Sequence, residues 1–157
     1  MKQTIVYKGH SNLSGFSDNR AIKQSKKNRE SILNLQNEML AMDQTLDQFP
    51  LTHHFAPGVY AREMFLPAGQ TIVGKIHKHA HLNIVSKGVV IVSTEEGSKE
   101  LKAPCVFTSY AGTKRAVHIK EDAIWITIHV TDKTDLKEIE KELIAASFDD
   151  LPEEKTS

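Results

Sequence analysis

Cysteine is almost absent from this sequence of 157 residues: Cys105 stands alone. That excludes an internal disulfide framework and fits a reducing compartment. Following Pro104 in a β-rich run, Cys105 reads as a buried, inert thiol. No stretch approaches the ~20 consecutive apolar residues of a membrane-spanning helix, so no membrane association by that route is expected. Met1 to Asn12 lack the apolar core of a secretory signal, and the chain is expected to be soluble and unexported. Ser86, Ser93 and Ser109 lack the local elbow pattern of a nucleophilic serine, and no glycine loop of the phosphate-cradling kind occurs. Net charge is also lacking, yet the balance is uneven. Up to Glu30 seven basic residues oppose two acidic ones, and from Asp132 onward nine acidic residues oppose four basic ones. Ends of opposite sign can pair within or between chains. The basic start has neither interleaved aromatics nor a reading motif, so nucleic acid is not an expected partner.

With 39% hydrophobic and 25% charged residues, the chain has the composition of one globular domain with room for an appendage. Residues 1–20 are polar and turn-rich and read as an arm, ordered only where it lies on something. Residues 21–49 read as an amphipathic helix. Ile32, Leu35, Met39, Met42, Leu46 and Phe49 recur with an average spacing of about 3.5 residues, widened by Leu33 and Leu40. Such a stripe packs either on its own domain or, as a short coiled coil, on a second copy in a homo-oligomer. Pro50 is expected to end it.

Residues 50–131 have β texture. Strands are predicted at Val59–Leu66, Thr71–Ile76, Leu82–Ser86, Val89–Ser93, Lys99–Leu101, Val106–Tyr110, Lys114–Ile119 and Ala123–Val130, separated by regular turn signals. Many short strands of this kind make a sandwich or barrel. Residues 132–157 read as a helix over Thr134–Ala146 followed by an acidic tail. Thr134 and Asp135 are placed to cap this helix, and Leu136, Ile139, Leu143 and Ile144 form its apolar stripe.

Of eight histidines, three fall within five residues: His77, His79 and His81. On a strand, alternate residues share a face, so these imidazoles would form a row continued by Asn83. Neutral imidazole is the commonest metal ligand. A further ligand must come from another strand. His129, on the face of Trp125 and Thr127, is the first candidate, then His118, then His54. Two arginines, Arg62 and Arg115, are placed to clamp a carboxylate or phosphate bidentately, with Tyr60 and Met64 beside Arg62.

This arrangement resembles the cupin superfamily. The family's first motif is matched by Gly69 or Gly74, His77, His79 and Gly88, with Asn83 in place of the usual acid. Its second is matched at Tyr110-Ala111-Gly112-Thr113-Lys114-Arg115, with Arg115 in place of the histidine. Asparagine is a weak neutral ligand and protonated arginine none, so His81 or His129 would have to substitute. The resemblance implies a mainly β fold, a single cupin-type β-barrel (double-stranded β-helix) with an N-terminal and a C-terminal helix, holding a divalent ion such as Zn, Mn, Fe or Ni. Gly74 to Gly88 and its flanks are also similar to small cupin-like proteins encoded by tailed phages. That likeness implies virion proteins as partners and a place in the infected cytoplasm or the virion. Three functions stay open: an oligomeric structural or accessory protein with a metal site; a metal-dependent enzyme of isomerase, dioxygenase or lyase type on a small oxygen-rich substrate; and a small-ligand binding module.

Overall fold

The structure is a computed structural model that describes residues 3–6, 18–42 and 49–153, with side chains from Ile22 onward. Alternating apolar and polar positions build strands that bury one face. In chain order these are β1 (Gln3–Val6), β2 (Leu51–Ala56), β3 (Val59–Leu66), β4 (Thr71–Val73), β5 (Ile76–His77), β6 (His81–Thr94), β7 (Gly97–Lys102), β8 (Cys105–Ser109), β9 (Arg115–Val130) and β10 (Ile144–Ala145). Helix α1 (Asp18–Leu40) precedes β2 and α2 (Leu136–Leu143) follows β9. The main sheet runs β1-β8-β6-β9-β3-β2, with β4 on β9 and β7 on β6, while β5 and β10 form a separate pair. Every pairing in the main sheet is antiparallel except that of β1 with β8. The architecture is mainly β with a helix at each end.

Two predicted strand breaks are absent. Lys87-Gly88 and the charged run around Glu121 carry turn chemistry, yet β6 and β9 pass through both. The register between the two strands shifts at Val85/Lys87, Lys87/Val89 and Val89/Val90, so the extra residues are absorbed as a bulge that bends both strands. Gly88 makes this possible: its φ is +85°, and a Cβ there would stand 2.3 Å from the Asp122 carbonyl oxygen. A further strand, β2, pairs with β3 from Leu51↔Met64 to Ala56↔Val59; it is largely exposed, and its mixed composition gave no clear alternation.

The inner face of β6, β8 and β9 carries the core: Val85, Val90, Val92, Phe107, Val117, Ile119 and Trp125, with Leu66 and Leu101 closing it. Ile32 of α1 is buried. Arg29 ion-pairs with Glu95 at the β6–β7 turn, and buried Lys114 donates to the Gln36 side chain and to the Gly74 carbonyl at 2.8 Å. The helix thus packs on its own domain at Ile32, the first residue of the predicted stripe. It ends at Leu40 rather than at Pro50; the stripe's Met42 lies beyond its end, and Leu46 lies outside the described residues. The predicted C-terminal helix is shorter at both ends. Asp135 caps it by accepting from the Lys137 and Glu138 amides, and Ile144 passes into β10. Beyond it, Ser147 and Asp150 cap a short 3-10 turn, and Arg29 lies 4.2 Å over the Phe148 ring. The basic and acidic ends therefore meet within one chain, through a cation–π contact.

Candidate metal centre

The inner face is graded along its length. Beyond the apolar core comes a polar layer of Asn83, Ser109 and Arg115 beside Trp125, and beyond that the histidines. Strand pairing explains the order: His81↔Ser109 and Asn83↔Phe107 join β6 to β8, Asn83↔Thr127 joins β6 to β9, and Tyr60↔His129 and Arg62↔Thr127 join β3 to β9.

His77, His81 and His129 converge. Their ring centroids are 4.2 Å apart (His77–His81), 4.7 Å (His81–His129) and 5.1 Å (His77–His129). One nitrogen from each lies within 4.8 Å of the others. Two nitrogens sharing a zinc ion at bonds of about 2.1 Å can stand up to about 4.2 Å apart, so small side-chain rotations bring this set to bonding geometry. Among the described residues, His77 Nδ1 and His81 Nε2 are buried atoms without a hydrogen-bond partner. Buried polar atoms are otherwise almost always satisfied, and here a cation would satisfy both. His81 Nδ1 meets the His79 carbonyl oxygen at 3.3 Å, which holds the proton on Nδ1 and leaves the Nε2 lone pair free, the arrangement seen when a backbone carbonyl orients a metal-binding imidazole.

The imidazoles are strongly biased toward neutrality. Burial, then the neighbouring rings of His81 and His129, then Arg115 and Arg62 lower His77 to about 2. Burial, His129 and Arg115 lower His81 to about 3, against a small opposing effect of the His79 carbonyl. Burial and Arg62 lower His129 to about 4. Neutral rings are the metal-binding form, so the donor set suits a borderline divalent ion.

The other predicted site residues are placed as follows. His79 is not brought to the cluster. It lies exposed in the bend between β5 and β6, because the strand stops at His77 and the expected row of three is broken. His118 faces outward between buried Val117 and Ile119 and bonds Thr71 at 3.0 Å. His54 is on β2, paired with Glu63 at 3.0 Å. Asn83 is fully buried, but both ends of its amide are engaged: Nδ2 donates to Ser109 at 2.9 Å and Oδ1 accepts from the Trp125 indole at 3.0 Å. Arg115 is buried, donates to the same Ser109 hydroxyl and lies 5.7 Å over the Trp125 ring. Arg62 is on β3, near enough to bias His77 and His129, with its own pKa lowered by burial. Sequence reasoning missed Ser109 as the junction of this layer, since a strand serine carries no signal of a partner 26 residues away.

No protein-family model matches the sequence, and no curated protein does. Among solved structures, salicylate 1,2-dioxygenase from Pseudaminobacter salicylatoxidans aligns with 77% of this chain and 36% of its own, at 11% identity and a TM-score of 0.52. This chain therefore spans about a third of that enzyme. KdgF from Halomonas sp. aligns with 59% of this chain and 88% of its own at 16% identity and TM-score 0.49. A cupin-2 domain containing protein from Shewanella frigidimarina aligns with 62% and 92%, at 10% identity and TM-score 0.45. The likeness is one of fold: this chain has a mainly β fold of the cupin type, with three histidines positioned to hold a metal ion.

Proposed function

We propose that this protein is a metal-dependent enzyme in which His77, His81 and His129 hold a divalent ion and Arg62 and Arg115 receive a small carboxylate or other oxyanion beside it. The observation that carries the reading is the pair of buried, partnerless nitrogens, His77 Nδ1 and His81 Nε2, converging with His129. Three neutral ligands leave an ion's full double charge in place. The guanidinium groups of buried Arg115 and half-buried Arg62 add to it, so the pocket favours an anionic ligand. When bound, the ion would supply Lewis-acid polarisation of a substrate oxygen or a site for dioxygen. The chain's own part is to keep three rings unprotonated, to hold them through the Asn83–Ser109–Arg115 layer, and to orient the substrate's charged end. Of the dioxygenase, isomerase and lyase types, the fold likeness to a dioxygenase acting on salicylate favours the first.

Untagged protein titrated with Zn, Mn, Fe(II) and Ni tests this. The expected result is about one ion per chain for at least one of these metals, lost in His77→Ala and His129→Ala and kept in His79→Ala. Substoichiometric metal throughout, or retention in both cluster variants, ends the reading.

A second reading keeps the centre but makes it a structural staple in an assembled particle, including a phage virion. The exposed apolar side chains Ile22 and Leu40 on α1 favour it. Light scattering that returns the mass of one chain at every concentration would exclude it.

A further inference from the structure

One ligand stands apart from the main sheet. His77 lies on β5, a strand of two residues whose partner is β10, the segment following α2: Ile144 pairs with His77 and Ala145 with Ile76. The backbone on either side is tied to the same place. The Lys78 amide donates to the Leu143 carbonyl at 2.8 Å, Lys78 Nζ donates to the Lys141 carbonyl at 2.9 Å, and Lys75 ion-pairs with Glu140. From the turn between β8 and β9, Gly112 N–H reaches the His77 carbonyl at 2.9 Å.

The second ligand on this side is backed by the same segment. Ile139 and Leu143 of α2 are buried against Tyr60, and the Tyr60 ring stacks on His129 with centroids 6.2 Å apart. Residues 136–145 therefore lie behind two of the three imidazoles, whereas His81 belongs to the long strand β6.

That segment owes its structure to docking. A helix of eight residues is well below the length at which an isolated helix is stable in water, and a pairing of two residues is marginal by itself. Such elements open at a small fraction of the global unfolding free energy. An ion bonded to His77 would hold β5 in place, and β5 in turn would hold β10. Coupling between two sites is reciprocal.

We propose that α2 and β10 form a positioning element for the metal centre, so that docking of residues 136–145 against β5 and Tyr60 and binding of the ion reinforce each other. This rests on the three-histidine metal reading. In it, Leu143 acts as a positioning residue at the junction of both supports, buried against Tyr60 and giving its carbonyl to Lys78.

The full-length protein is the material for the test, with Zn(II) as the probe. In wild type, hydrogen exchange is followed with and without the ion. Residues 76–78 and 136–147 are expected to slow, with β7 unchanged as the internal reference. Calorimetric titration of Leu143→Asp is expected to show zinc affinity lowered by about tenfold or more, the size typical of losing a ligand's outer support. Leu143→Met, which keeps the apolar contact, should restore it. Should the wild-type protein bind zinc with no change in exchange over 136–147, or should a folded Leu143→Asp bind as tightly as wild type, the positioning proposal is overturned while the metal reading stands. Failure of the wild type to bind any of the four ions overturns both. If Leu143→Asp does not fold, the wild-type exchange result decides.

Discussion

Burial, reinforced by neighbouring rings and two guanidinium groups, keeps three imidazoles from taking up a positive charge, and the consequence is measurable. His77, His81 and His129 are lowered from the usual histidine value to about 2, 3 and 4. The unfolded chain takes up protons on these residues as pH falls through about 6.5, while the folded chain does so only well below. Below pH 6.5 the unfolded state therefore binds more protons, and acid destabilises the fold. Chelator-treated protein should show this stability in full above pH 6.5. It should lose stability progressively toward pH 4, at up to roughly 1.4 kcal/mol per pH unit for each histidine. His129→Gln should flatten the slope in a set of denaturant melts at stepped pH; an unchanged slope would show that His129 is not held neutral. A different residue limits the fold itself. Gly88→Ala places a methyl 2.3 Å from the Asp122 carbonyl at a φ of +85°, and expression with little folded protein is the expected outcome. The sequence made His77, His81 and His129 legible as candidates because histidine is scarce and alternation assigns a face. It also put His79 among them, since alternation presumes an unbroken strand and the bend at Lys78–His79 has no compositional mark. The engagement of Asn83 with Ser109 and Trp125 was hidden, because only the pairing of β6 with β8 and β9 brings those groups together.

Among the elements, α1 separates what periodicity reveals from what it does not. Its stripe announced an amphipathic helix, but a repeat of this kind fits a barrel surface and a second helix equally well. In the structure Ile32 is buried at 5% exposure on the helix's own domain, and the Lys114 ammonium reaches Gln36 of α1 and the Gly74 carbonyl together. Truncating a buried isoleucine removes its transfer free energy and leaves a cavity, a loss of about 2–4 kcal/mol. Ile32→Ala should therefore lower the denaturation midpoint by the same amount across a hundredfold range of protein concentration. A loss that grows on dilution would place the stripe in an intersubunit contact instead. The β texture of residues 59–130 was legible, and β3, β7 and β8 lie where strands were predicted, but β1, β2 and β10 were not foreseen. What the sequence hid was the fusion of four predicted strands into β6 and β9, because glycine and charged runs mark a bulge with the same residues that mark a turn.

On the scale of the whole molecule, the site is an outcome of topology. His77 and His81 precede the β6–β7 hairpin and His129 closes β9, so the three rings meet only after the long strands β6 and β9 have paired along their length. An unfolded chain holds no such arrangement. An ion held by the three histidines would therefore be selective for the folded state and would stabilise it by mass action. At free ion one hundred times its dissociation constant, that stabilisation is about 2.7 kcal/mol, which for a domain of this size corresponds to a rise in Tm of roughly 5–11 °C. His81→Gln should abolish the rise. Its Nε2 is one of the two partnerless buried nitrogens, while glutamine can still reach the His79 carbonyl and spare the local fold. The size of the shift should also follow the ion's ligand preference, with Zn, Ni or Fe(II) well ahead of Mg, because an all-nitrogen donor set discriminates against hard, oxygen-seeking cations. An equal response to Mg and Zn, or a rise preserved in His81→Gln, would place the stabilising ion somewhere other than the three-histidine cluster. The anion-binding role of Arg62 and Arg115 would then lose the metal beside which it was argued.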